Sequence, residues 1–306
     1  QKQAEIEEAA LAELKTMIAD LLEEGASPAT AEASGRGGEM REETKNQSEE
    51  NPETGGSDGP KGKVATIDPS FGSWRGSSRR DGPALEVPSE ATMRRFLRGL
   101  NQQDPKIAAP RIRKYIEWRA SNSYGLDHPI REISIETAGI REQIATGKCY
   151  ILTNKDKQGR PVCVVHVRRH DPAAQSKDEL TRFGVYILET AEKMLEGTAD
   201  PEKEKLLIIF DLGSVAMSNI DYAAAKRIIY MLTYFYPERM GATLLLSAPT
   251  LFSVAWPVIR PWLHPNTQEK IHFVKPDQLS RFIDPQAMPA YAPVAMFLHC
   301  HFWRSC

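Results

Sequence analysis

A chain of 306 residues with 41% hydrophobic side chains can bury a sizeable core, while a mean hydropathy of −0.44 leaves part of it outside that core. The net charge of −2 gives no global case for a nucleic-acid partner. Cys149, Cys163, Cys300 and Cys306 show no framework spacing, so reduced thiols in a cytosolic protein are expected, and neither a secretory leader nor a membrane-spanning apolar stretch is visible.

Gln1 to Glu24 carries Ile6, Ala10, Leu14, Met17, Ile18 and Leu21 at helical spacing. It reads as a short acidic helix of marginal stability, with a coiled-coil or docking role as the alternative. Residues 25–84 turn to Gly, Ser, Pro, Glu and Lys, a composition that cannot bury enough surface to offset its ordering entropy, and are expected to be disordered. Phe71 and Trp74, near Arg75, Arg79 and Arg80, are either stray aromatics in a linker or a membrane or partner contact.

Order begins at Ser89, which can cap a helix bearing Met93, Phe96, Leu97 and Leu100. A second helix, from about Pro105 to Ala120, carries Ile112, Tyr115, Ile116 and Arg119. Their arginines and lysines form a basic surface, either a solvated face or one that anionic lipid attracts. Beyond them strands and helices alternate, the pattern of an α/β layer structure. Cys149 to Asn154 and Val162 to Val167 flank a turn-rich connection and predict a hairpin. Ser176 and Glu179 open a helix with Leu180, Phe183, Ile187, Leu188, Ala191 and Leu195, closed by Gly197. Leu206 to Phe210 reads as a central strand, and Ser218 and Asp221 as a cap pattern ahead of Ala224, Ile228, Met231, Leu232 and Phe235.

The helix must end before Pro237, and Gly241 releases the chain into Ala242 to Ser247, a strand apolar on both faces. Thr250 to Leu263 is apolar almost all round, which means a fully buried helix or one that meets lipid; it is too short to span a bilayer. Pro257 and Pro261 suit a jointed lid. No G-x-G-x-x-G or G-x-x-x-x-G-K-[ST] motif and no G-x-S-x-G nucleophile elbow on a strand-to-helix turn is present, so no catalytic residues are assigned. His166 and His170 read as structural histidines, and His299, Cys300, His301 and Cys306 as a terminal tail, so no metal is assigned.

The run Tyr236-Pro237-Glu238-Arg239-Met240-Gly241, a strand, Ala248-Pro249, the apolar helix, Pro261-Trp262-Leu263 and Pro265-x-Thr267-x-x-Lys270-Ile271 resembles the Sec14 or CRAL-TRIO family of lipid-binding and lipid-transfer proteins. Arg95-Phe96-Leu97-Arg98 and Trp118-Arg119 resemble its N-terminal helical motif. The resemblance implies an α/β fold: a mixed sheet covered by helices that form a lipid cavity, preceded by a small all-helical subdomain and a disordered N-terminal arm. It divides the chain into a helix (1–24), a linker (25–84), a helical subdomain (85–128), a lipid-binding domain (129–288) and a tail (289–306).

A carrier needs a dry cavity, a few polar groups and a movable apolar cover. Leu206, Ile208, Phe210, Ile228, Met231, Leu244 and Leu246 are the expected lining. By resemblance, Leu251, Phe252, Val254, Ala255, Trp256, Val258, Ile259 and Trp262 form the gate that contacts membrane. Also by resemblance, Glu238, Thr267 and Lys270 bind the headgroup: the lysine neutralises phosphate, the threonine donates a hydrogen bond and the glutamate accepts from an inositol hydroxyl or orients a lysine. Gly99-Leu100-Asn101 stands where the family's basic cluster usually follows, and Leu206 and Ile208 where some members place hydroxyls for phosphatidylcholine. The expected ligand is phosphatidylinositol, bound by a cytoplasmic, peripherally membrane-associated monomer with no cofactor besides lipid. A sterol, tocopherol or retinoid carrier and a docking adaptor are the alternatives.

Overall fold

The computed structural model describes residues 2–26, 85–99, 104–195 and 203–285. The linker with Phe71 and Trp74, Gly197 and the tail from 289 lie outside the described residues.

Three helices, α1 (Lys2–Ala26), α2 (Glu90–Arg98) and α3 (Pro105–Ala120), pack into one unit. Ser89 caps α2 as expected, its Oγ accepting from the Thr92 N–H, and Asp104 caps α3. Leu11, Leu14 and Ile18 of α1 are buried against Met93, Phe96 and Leu97 of α2 and Ala108, Ile112 and Ile116 of α3. The marginal acidic helix expected from sequence is thus part of a shared core. Its acids also meet the basic surface: Arg94 pairs with Glu8 at 2.6 Å and Arg98 with Glu7 at 3.4 Å. That face of α2 is therefore partly neutralised from within the chain.

After α4 (Ile140–Ala145), a five-stranded sheet runs in the order β1 (Cys149–Ile151), β2 (Val162–His166), β3 (Leu206–Asp211), β4 (Met240–Leu246) and β5 (Ile271–Val274). The first pair is antiparallel, the expected hairpin, and the rest are parallel. Parallel neighbours require crossovers, supplied by α5 (Lys177–Leu195), by α6 (Tyr222–Tyr234), and by α7 (Phe252–Ile259) with α8 (Pro265–Gln268). Ser176 and Glu179 form the reciprocal capping box of α5. Asp221 alone caps α6, accepting from the Ala224 N–H; Ser218 belongs to a preceding 3-10 turn.

Directly paired strand residues share a face, so register sorts the sheet. Leu206, Ile208 and Phe210 share the front face with Thr243 and Leu245, and Leu207 and Ile209 share the back with Ala242 and Leu244. Helices α5 and α6 cover part of the front, where Phe183, Ile187, Ala191, Leu195 and Met231 meet Cys163, Leu206 and Ile208. The C-terminal turns cover the back through Leu279 and Ile283. Trp118 stacks on Phe235 at 4.2 Å and fixes the helical unit to the end of α6.

Candidate functional site

The front of the sheet carries two apolar clusters, one under α5 and α6 and one under α7, and Phe210 packs against both. Between them the cover thins. Ile151, Val165 and Phe210 are only half-buried, and every residue of α6 from Tyr222 to Tyr230 is half-buried too. A helix seated on a solid core shows a buried stripe and an exposed one. In α6 the first nine positions show neither, so accessible space reaches more than one of its sides.

Over this strip lies α7. Phe252 and Ala255 point inward and are buried, whereas Val254 is 64% and Val258 45% exposed. Of the two sequence readings for this almost wholly apolar helix, the fully buried one does not hold: apolar side chains look out. The helix has eight residues, no side-chain N-cap and an internal Pro257, features that make a short helix weakly held by itself. Aromatic contacts hold it down. Trp256 lies edge-on to Phe273 at 5.4 Å, Phe252 lies 6.3 Å from Trp256, and Trp262, past the end of α7, meets Tyr222 of α6 at 6.2 Å. Phe273, on edge strand β5, is 51% exposed and extends the apolar surface. Nothing in a four-residue strand had marked it from sequence.

The seven expected lining residues do not share one wall. Leu206, Ile208, Phe210, Ile228 and Met231 gather at the front, but Leu244 and Leu246 lie on the back, packed with Val274, Leu279 and Ile283. The reason is the two-residue period of a strand together with the register shift at Leu206/Leu207: beyond the shift, even-numbered residues of β3 pair with odd-numbered residues of β4. Thr243 and Leu245 take the front positions instead.

Two of the headgroup candidates come together. Glu238 Oε2 and Lys270 Nζ are 4.0 Å apart, both partly exposed, just before the amino ends of β4 and β5. Thr267 sits on the turn that ends in Lys270, its carbonyl accepting from the Lys270 N–H at 3.1 Å. Glu238 adopts φ of +59°, a conformation that costs a non-glycine residue energy and that its surroundings must enforce. Gly99 lies against this turn: a Cβ there would sit 3.3 Å from the Pro237 Cβ and 3.5 Å from the Glu238 Cγ.

Tyr236 and Arg239, on either side of this turn, belong to a largely buried ionic network that sequence reading missed, because its members are far apart in the chain. Arg239 pairs with both oxygens of Glu192 and donates to the Glu204 carbonyl at 2.7 Å. Arg95 approaches the same two acids at 3.7 and 3.5 Å and donates to Thr92. Arg119 grips Glu189 with two bonds of 2.7 and 3.0 Å, and Tyr236 Oη donates to the same carboxylate. Burial, then the Glu189 charge, pushes the Tyr236 phenol well above its usual range, which keeps it a donor. A cavity of about 500 Å3 opens among Arg95, Arg119, Arg239, Glu189, Glu192 and Glu204. Its charged walls make it unsuitable for acyl chains.

His166 and His170 are engaged structurally. Nδ1 of His166 lies 2.8 Å from Asp211 and its Nε2 3.1 Å from the Tyr150 hydroxyl, while His170 bridges Asp221 and Gln175. Burial raises the Asp211 pKa, but hydrogen bonds from His166 and the Gly213 N–H outweigh it and leave the group below the usual carboxylate value.

Residues 145–292 match the family model of the CRAL/TRIO domain. The chain carries a CRAL/TRIO domain. That stretch contains the sheet, α5 to α8 and the Glu238–Lys270 pair. Among curated relatives, the CRAL-TRIO domain-containing protein C3H8.02 of Schizosaccharomyces pombe is 34% identical over 144 residues, 47% of this chain and 31% of that one. The phosphatidylinositol transfer protein CSR1 of Eremothecium gossypii is 34% identical over 152 residues, 49% of this chain and 34% of that one. This chain therefore spans about a third of the length of these relatives. The crystal structure of Sfh5 shares the fold, with a TM-score of 0.50 at 14% identity over 62% of this chain and 65% of that one. Among the described residues, no helix is long and apolar enough to cross a membrane.

Proposed function

We propose that the CRAL/TRIO domain holds a single lipid, phosphatidylinositol as the leading ligand, on the front of the sheet beneath α7 and exchanges it with membranes. The observation that carries this reading is the meeting of Glu238 and Lys270 at the edge of an incompletely covered apolar face. In it Lys270 neutralises the phosphate, Glu238 accepts from the inositol ring, and Thr267 donates from the same turn. Acyl chains run along Phe210 and Ile228, each buried CH2 contributing about 0.8 kcal/mol. Lifting α7 opens the way, and its outward valines meet the bilayer while it is open. The similarity to a phosphatidylinositol transfer protein supports the choice of headgroup. On this reading the chain performs no covalent step, needs no cofactor besides lipid, and works as a cytoplasmic monomer that visits membranes.

The test is transfer of labelled phosphatidylinositol between vesicles by the Lys270→Ala variant. A charge-assisted hydrogen bond is worth roughly 1.5–3 kcal/mol, so transfer falls about tenfold or more. The melting temperature stays put, because a partly exposed pair at this separation contributes little to folding. Undiminished transfer removes Lys270 from the headgroup site.

A further inference from the structure

The front face contains one polar side chain that its surroundings do not explain. Thr243 is 4% exposed, and its Oγ1 is among three buried side-chain polar atoms without a hydrogen-bond partner in the described residues. Its partners in register are Ile208 on β3 and Ile271 on β5. The next front-face residue along β4, Leu245, packs with Phe252 and Ala255 of α7. Thr243 thus sits at the seam of the two apolar clusters, close to the edge of the cover. Its backbone N–H is already committed, donating to the Lys270 carbonyl at 2.8 Å. Valine has nearly the same shape and would fill the position with no polar atom to bury, so the isolated hydroxyl is a net cost to folding.

Position gives the hydroxyl a use. Ile271, directly across from Thr243, follows Lys270, so the Thr243 backbone lies about one strand spacing, roughly 4.8 Å, from that of the residue after the lysine assigned above to the phosphate. In a phosphoglyceride the groups that come a few bonds inward from the phosphate are the glycerol ester carbonyls, acceptors without a donor of their own. We propose that Thr243 recognises a glycerol ester carbonyl of the bound lipid, donating its hydroxyl hydrogen to it and selecting diacyl phosphoglycerides over ether-linked lipids. This rests on the lipid-carrier reading above. With α7 down the hydroxyl is sealed from water, so its partner arrives only when the cover lifts and lipid enters.

The experiment loads the full chain from vesicles containing either dipalmitoyl phosphatidylinositol or its dialkyl ether analogue and quantifies bound lipid by mass spectrometry. Wild type takes up the diester about fivefold more than the diether, the ratio expected of one neutral hydrogen bond. Thr243→Val takes up both equally and melts at or above the wild-type temperature, while Thr243→Ser keeps most of the preference. Equal uptake of the two lipids by wild type, a comparison that needs no substitution, overturns the assignment of Thr243 and leaves the carrier reading intact. So does a diester preference that persists in Thr243→Val. Uptake of neither lipid by wild type overturns the carrier reading and the assignment with it.

Discussion

Replacing Val254 and Val258 together by serine tests whether the outward side of α7 is what meets the membrane. These valines are 64% and 45% exposed, so most of the surface to be removed is already in water and folding loses little. Full burial of a valine is worth about 1.5–3 kcal/mol, and scaling by exposure gives roughly 1–2 kcal/mol for Val254 and about 0.7–1.4 for Val258 on entering a bilayer. Their combined loss, about 2–3 kcal/mol, lowers vesicle partitioning by roughly 30- to 150-fold. Vesicle co-sedimentation reads the partitioning and a thermal melt guards against misfolding. A double variant that melts normally and sediments like wild type refutes the placement of α7 at the bilayer.

Two further predictions concern what holds the site. Arg239→Met leaves the partly buried Glu192 and Glu204 with Arg95 alone, at 3.7 and 3.5 Å, so stability in urea falls by about 3 kcal/mol, the lower end of the usual cost of breaking a buried pair; a loss under about 1 kcal/mol contradicts the network's role. Lys148 is buried beside the Phe183 ring and Gln175, and burial pushes its ammonium down to about 8 from the free-lysine value of 10.5. Below pH 8 the proton is bound both folded and unfolded, and the full cost of burying it, on the order of 3 kcal/mol, is present. Between pH 8 and 10.5 the unfolded chain holds the proton more tightly, so stability rises with pH and the cost disappears. Lys148→Met therefore stabilises the protein at pH 7, with the gain shrinking as pH approaches 10; a gain independent of pH contradicts this.

Local chemistry wrote much of the fold into the sequence. Ser89, Ser176 with Glu179, and Asp221 mark helix starts because capping is decided within a few residues. Leu206 to Phe210 announces a buried strand because parallel strands are apolar on both faces. For the same reason its register was hidden: an all-apolar run carries no alternation to say which residues look forward, and Leu244 and Leu246 were placed on the wrong wall. The gathering of Arg95, Arg239, Glu192 and Glu204 depends on contacts between residues as many as 109 positions apart (Arg95 to Glu204), which no spacing rule reaches. Leu14 and Ile18 kept their helical stripe visible but not its partner, which lies across some sixty residues of polar linker.

Native mass spectrometry of the purified full chain, before and after incubation with vesicles containing phosphatidylinositol, addresses the lipid-carrier claim most directly. The account predicts one phosphoglyceride per chain, at the mass of phosphatidylinositol, retained through purification or acquired from the vesicles. A chain that emerges bare and stays bare contradicts it.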